Sequence, residues 1–268
     1  MRQRVAWVTG ASRGIGRGIA IGLGEQGWTV WVSARSTASA TTSHLPGTVE
    51  ETAAAVTAAG GHGIPAPCDH RDDDQVGAVA ERIATTHARL DLLVNNVWAG
   101  YERLNAGEWQ EWNAPFWRQP LSLWDAMLTG GVRAHYVASA LCADLLRSTP
   151  AGAIVTVSME AGTAHTPAFG VAYSTAKAAD DRLTEAMARQ LRADGVAVVS
   201  LHPGLVRTEG VMQFAEHLDL KDSQSPEGIG RVVAALHADP SLLSLTGRAL
   251  SVSDLATRYD VDLGLLEL

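Results

Sequence analysis

The sequence predicts an α/β fold, a single doubly wound parallel sheet of about seven strands with helices on both faces. Three observations point there. Short apolar runs of β-forming residues alternate with longer stretches of helical periodicity. A glycine-rich turn stands between the first such strand and the first such helix. No linker, internal repeat or low-complexity tail breaks the alternation, so residues 1–268 read as one domain.

Taken in order, the strands are predicted at 5–9, 29–33, 63–67, 92–95, 153–158, 197–201 and 249–252. The helices are predicted at 14–25, 49–59, 73–86, 124–147, 174–192 and 227–237. Strand–helix–strand repeats of this kind form right-handed crossovers. The Ser/Thr/Ala stretch at 36–43 is the loop after the second strand. Asp72-Asp73-Asp74 reads as a helix N-cap and first turn rather than as a metal site. One stretch departs from the rhythm: an insertion at about 97–120 carries Trp98, Tyr101, Trp109, Trp112, Phe116 and Trp117. It leaves the sheet at the carboxyl edge, where open α/β sheets bind ligands. It therefore reads as a pocket wall, with an aromatic satellite core or an oligomer contact as the alternatives. A second segment, at about 208–222, contains Met212, Phe214 and Leu218 and reads as a small substrate lid.

Composition narrows the function. The net charge of −8, with no basic stripe, disfavours a nucleic-acid partner. Cys68 and Cys142 have neither disulfide-framework nor zinc spacing, and read as buried free thiols in a reducing compartment. The scattered histidines show no metal spacing, so no metal is expected. The chain opens almost at once on a strand, so no signal peptide is expected. No apolar run approaches the roughly 20 residues of a membrane span. A soluble cytoplasmic protein without a membrane partner is the expectation.

Gly10, Ser12, Arg13, Gly14, Ile15 and Gly16 form the turn after the first strand. Glycines there permit a tight turn and close approach of backbone to a pyrophosphate, and the following helix N-terminus offers free N–H groups and a favourable dipole. The end of the second strand reads Ser33-Ala34-Arg35-Ser36, without the carboxylate that binds a ribose 2′-hydroxyl. Arg35, with Arg13 beside it, suits a 2′-phosphate and favours NADP(H) over NAD(H). Tyr173 and Lys177 stand four apart on a helix, hence on one face. A phenol with a pKa near 10 needs a neighbouring ammonium to act as acid or base near neutrality. The chain has four tyrosines and two lysines, Lys177 and Lys221, so the pairing is unlikely to arise by chance.

These motifs, with Asn95-Asn96 after the fourth strand and Pro203-Gly204-x-Val206-x-Thr208 after the sixth, resemble the short-chain dehydrogenase/reductases over essentially the whole chain. Within that family the chain looks most like the member 1 subgroup. The residues carrying that likeness are Pro46-Gly47-Thr48-Val49, Phe116-Trp117, Trp124-Asp125 and Arg133-Ala134-His135-Tyr136. The resemblance implies a Rossmann fold, hydride transfer between nicotinamide and a carbonyl or alcohol, and a homodimer or homotetramer. It implies that Tyr173 is the acid/base and that Lys177 binds the nicotinamide ribose and lowers the tyrosine pKa. Asp69 would lie near the adenine, and Val206 and Thr208 near the nicotinamide amide. The subgroup implies a bulky apolar ketone, aldehyde or alcohol as substrate.

The pattern is broken in three places. The family's Asn-Asn-Ala-Gly is here Asn95-Asn96-Val97-Trp98, and its helix-four asparagine aligns with Gly131. The catalytic serine falls to Ser158 at the end of the fifth strand, which would orient the substrate oxygen, with Thr163 and Glu160 as competitors. Pocket candidates are Trp98, Tyr101, Trp117, His165, Met212 and Phe214. The alternative to an enzyme is a catalytically impaired NADP(H)-binding regulatory or scaffold protein, motivated by Gly131 and the displaced serine.

Overall fold

Strands buried on both faces must find partners on both edges and helices on both sides, and the apolar runs do so here. The computed structural model describes residues 3–102, 112, 114–160 and 170–266. β1 (Val5–Thr9), β2 (Thr29–Ala34), β3 (His62–Pro67), β4 (Leu92–Asn95), β5 (Ala153–Val157), β6 (Ala197–His202) and β7 (Ala249–Ser251) form a seven-stranded sheet in the order β3-β2-β1-β4-β5-β6-β7. Every pairing is parallel, so every connection crosses over. The helices are α1 (Gly14–Glu25), α2 (Val49–Ala58), α3 (Asp73–His87), α4 (Leu121–Met127), α5 (Ala134–Arg147), α6 (Val171–Leu191), α7 (Glu209–Met212), α8 (Pro226–Ala238) and α9 (Val252–Tyr259).

The period-two alternation of the strands sorts the core into two layers. Ala6 and Val8 of β1 face a cluster with Ile19, Leu23, Val56, Ile229 and Val233. Val5 and Trp7 face the opposite cluster, with Val76, Ile83, Cys142 and Leu146. Cys68 and Cys142 are buried free thiols, and burial pushes both up to about 12, so neither is poised as a nucleophile. Strand order reverses between β1 and β4, which opens a crevice at their carboxyl ends.

Local signals explain most boundaries. Thr48 and Glu51 form a reciprocal capping box at the start of α2, and Asp72 caps α3 by accepting from Asp74 and Gln75. Two features differ from the sequence reading. The helix predicted at 124–147 begins at Leu121 and is interrupted by a π-helical turn, Leu128–Arg133, which contains Gly130-Gly131. The last strand stops at Ser251, whose side chain caps an unanticipated α9 through the amide of Asp254. The C-terminal segment packs on its own chain: Leu263 is buried and its carbonyl accepts from both the amide and the hydroxyl of Ser225.

Helices α1 and α8 meet through glycines, and a Cβ added at Gly22 would stand 2.5 Å from the carbonyl carbon of Gly230. Backbone cannot yield as a flexible side chain can. Gly22→Ala therefore lowers unfolding stability by about 1–3 kcal/mol through overpacking, read as a lower denaturation midpoint at unchanged m.

Candidate active site

The turn after β1 and the loop after β4 are fastened to one another. Asn96 donates from Nδ2 to the carbonyls of Thr9 (2.9 Å) and Gly10 (3.0 Å), and its amide donates to Thr9 Oγ1 (2.9 Å). Gly10, at φ +66°, seats so closely that a Cβ would lie 2.6 Å from Val97 Cα. Asn95 turns the other way, to Ser139 on α5. Gly14 is also left-handed, at φ +59°. Its N–H, which opens α1, donates to Glu209 Oε2 at 2.7 Å, and Thr208 lies over it. A carboxylate thus rests on the first free amide of α1, where the helix dipole favours an anion. The Gly14 amide and the glycines of the turn fit an anionic group such as a pyrophosphate, and Glu209 supplies the anion at that amide. Glu209 was not anticipated, because the signal lies in a contact across 195 residues.

At the end of β2 the two arginines are engaged. Arg35 pairs with Glu102, while Arg13 donates to the carbonyls of Pro46 and Gly47 and to Ser36 Oγ, each at 3.0 Å. Burial draws the Arg13 guanidinium below its ordinary value, with Glu209 opposing and Arg35 adding. Ser12 is buried and its carbonyl accepts from Thr52, and Ile15 packs against the core. Asp69, expected near an adenine, is held below the carboxylate range chiefly by its bond from Arg71. Pro203 and Gly204 follow β6, Val206 is buried in a bridge to Gln224, and Thr208 caps α7.

Tyr173 and Lys177 lie on α6, both buried. The Tyr173 hydroxyl accepts from Tyr101 at 2.8 Å and lies 3.6 Å from Met159 Sδ. The rings of Trp98, Tyr101 and Trp112 surround it at centroid distances of 5.5, 6.0 and 6.0 Å. Lys177 Nζ donates to the Val157 carbonyl (3.1 Å), faces Asp180 Oδ2 (3.5 Å) and sits 4.0 Å from the Trp98 ring centroid. The expectation that the ammonium lowers the tyrosine does not hold in the free chain. Burial pushes Tyr173 above the ordinary phenol value; the Tyr101 bond opposes it and the Asp180 charge adds to it.

Ser158 lies just past its strand, packed against α6. β5 ends at Val157, and Ser158 Oγ donates to the Lys177 carbonyl at 3.1 Å, so its one O–H points into α6. Met159 Sδ, on the next residue, accepts from the Tyr173 hydroxyl at 3.6 Å. Trp117 is 69% exposed and meets Phe116 edge to face at 5.2 Å. Met212 is exposed on α7, with Phe214 half-buried just beyond. Glu160 is exposed; Thr163 and His165 lie outside the described residues.

Trp98 and Gly131 fit one another. A Cβ at Gly131 would stand 2.6 Å from two carbons of the indole. Gly131→Ala therefore costs about 1–3 kcal/mol by overpacking, and the cost shrinks in a Trp98→Ala background. A double-mutant cycle on the denaturation midpoint measures the coupling.

The family model described as "short chain dehydrogenase" matches residues 4–219. Mouse "Dehydrogenase/reductase SDR family member 1" is 39% identical over 280 residues, covering 98% of this chain and 84% of that protein. The human protein of the same name is 37% identical over 279 residues with the same coverage. A crystal structure of a short chain dehydrogenase from Mycobacterium thermoresistibile superposes at a TM-score of 0.81 with 26% identity, covering 98% of this chain and 95% of that one. A parallel sheet with its glycine turn at the β1/β4 crevice, Tyr173 and Lys177 on one buried helix face, and these likenesses together place the chain in the short-chain dehydrogenase/reductase family of oxidoreductases.

Proposed function

We propose that this protein is an NADPH-dependent carbonyl reductase for bulky apolar ketones or aldehydes, able to run in reverse on the alcohols. The observation that carries the reading is the Tyr101–Tyr173 hydroxyl pair, set among aromatic rings beside Lys177. A carbonyl oxygen within reach of Tyr173 is within reach of a second phenolic donor. Bound nicotinamide supplies the hydride to the carbonyl carbon. Tyr173 gives its proton to the oxygen as the C–O π bond opens, and water reprotonates the phenolate. Tyr101 donates to the same oxygen and stabilises its developing charge, the task expected of Ser158. Lys177 holds the nicotinamide ribose, and the Trp98 and Trp112 rings keep water from the reacting atoms.

Preference for NADPH rests on Arg35 and Arg13, since the end of β2 reads Ser33-Ala34-Arg35-Ser36 without the carboxylate that binds a ribose 2′-hydroxyl, and Arg35 holds Glu102 in its place. The phosphate exchanges for Glu102 as the partner of Arg35. Self-association as a dimer or tetramer is part of the proposal, supported by exposed Tyr136 and Leu141 on α5. A second reading, a protein that binds NADPH without turnover, is favoured by the direction of Ser158 and by Glu209 on the amide of Gly14. Tight NADPH binding with no oxidation across a panel of apolar carbonyls selects it.

Tyr173→Phe is expected to lower kcat/KM for NADPH oxidation by about 10²–10⁴ with cofactor affinity kept. Tyr101→Phe is expected to lower kcat by about 10²–10³, and Ser158→Ala to have a much smaller effect. The reverse order would return the oxygen-orienting role to Ser158. Glu209→Gln removes the internal competitor at Gly14 and is expected to tighten NADPH about two- to five-fold, the equivalent of a 0.5–1 kcal/mol charge–dipole contact. Calorimetric titration reads it directly.

A further inference from the structure

Behind Tyr173 lies a line of buried polar groups that proton donation does not itself use. Lys177 is 6% exposed, His135 1% and Asp180 0%. Asp180 faces Lys177 Nζ with Oδ2 at 3.5 Å and His135 Nδ1 with Oδ1 at 2.8 Å. His135 Nε2 lies 2.9 Å from the carbonyl of Val97. A carbonyl only accepts, so Nε2 carries a proton, and the Nδ1–Asp180 contact holds another, on the ring or on the carboxyl. His135 comes from α5, Asp180 from α6 and Val97 from the loop after β4. One imidazole therefore ties the loop that presents Trp98 to the helix that presents Lys177.

Trp98 closes the arrangement. Its ring receives Lys177 Nζ at 4.0 Å and meets Tyr173 edge-on at 5.5 Å. It fits only because residue 131 has no side chain. The same absence means that position 131 cannot hold the lysine.

Resting on the reductase reading, we propose that Asp180 is a positioning residue of this site: with His135 and Trp98 it holds Lys177 charged and fixed beside Tyr173, a task for which Gly131 offers no side chain. A buried ammonium without a counter-charge is costly and tends to lose its proton. Burial draws Lys177 below its ordinary value, while Asp180, through charge and hydrogen bond, and then Asp181 push it back. Burial likewise pushes Asp180 up, but His135 and then Lys177 oppose it, and the carboxyl lies below its ordinary range. The groups facing this line are Tyr173 and Asp181 on α6, His135 on α5 and, beyond His135, His70 after β3.

The sequence makes the test direct. The chain has two lysines, and Lys221 is exposed, so protein labelled with ¹³C at lysine Cε shows two titrating resonances. Lys221→Arg identifies that of Lys177. In cofactor-free protein, Asp180→Asn is expected to lower the Lys177 titration midpoint by about one to three pH units, the effect of losing an opposite charge at this range. Lys221 stays in place, and Asp180→Glu recovers most of the shift. His135→Asn, which removes a group that keeps Asp180 ionised, is expected to move Lys177 the same way by less. A Lys177 midpoint unchanged in Asp180→Asn overturns the proposal. If that variant does not fold, an unchanged midpoint in His135→Asn overturns it instead. Neither NADPH nor a carbonyl enters this measurement, so its failure leaves the reductase reading intact, and failure of the NADPH assays leaves the lysine result intact.

Discussion

The seat of the β4 loop on the turn after β1 is the contact on which both halves of the site depend. Asn96 makes it, with one amide group on two carbonyls of the turn and a backbone N–H on Thr9. That fastening fixes the shape of the cradle at the N-terminus of α1. It also fixes the direction of the next two residues, so that the Val97 carbonyl meets His135 and the Trp98 ring meets Lys177. Glycines at 10 and 131 are what the contact costs in sequence, since a Cβ at either would strike the β4 loop. The glycine turn and the helix that carries Tyr173 and Lys177 are thus held in register by one loop.

Burial sets the electrostatics of the centre. It raises Tyr173 and Tyr101 and lowers Lys177, in each case as the largest influence. The countervailing forces are specific: a hydrogen bond from Tyr101 to the phenol, Asp180 beside the ammonium, and His135 beside Asp180. A buried ionisable group is tolerated where such partners complete it. Burial therefore favours the protonated phenol at Tyr173.

Much of the fold was legible because its signals are local. The apolar runs and the helical periodicity placed the strands to within a residue or two, and Asp72 announced the start of α3. The Tyr173–Lys177 spacing placed both on one helix face for the same reason. Interruption of α4 and α5 by a π-turn was not legible, since Gly130-Gly131 alone does not say which ring will occupy the space they leave. Ser158 falls one residue past its strand, and the direction of its hydroxyl was set by a carbonyl on α6.

The sequence by itself determined the alternation of strands and helices, the glycine turn and the placing of Tyr173 and Lys177 on one helix face. These follow from interactions spanning a few residues, where periodicity and capping act. Tertiary structure alone decided which groups meet: Glu209 with Gly14 across 195 residues, His135 with Asp180 across 45, and Tyr101 with Tyr173 across 72. Such pairings depend on how layers pack and on which polar atoms are buried together, and no local pattern encodes that.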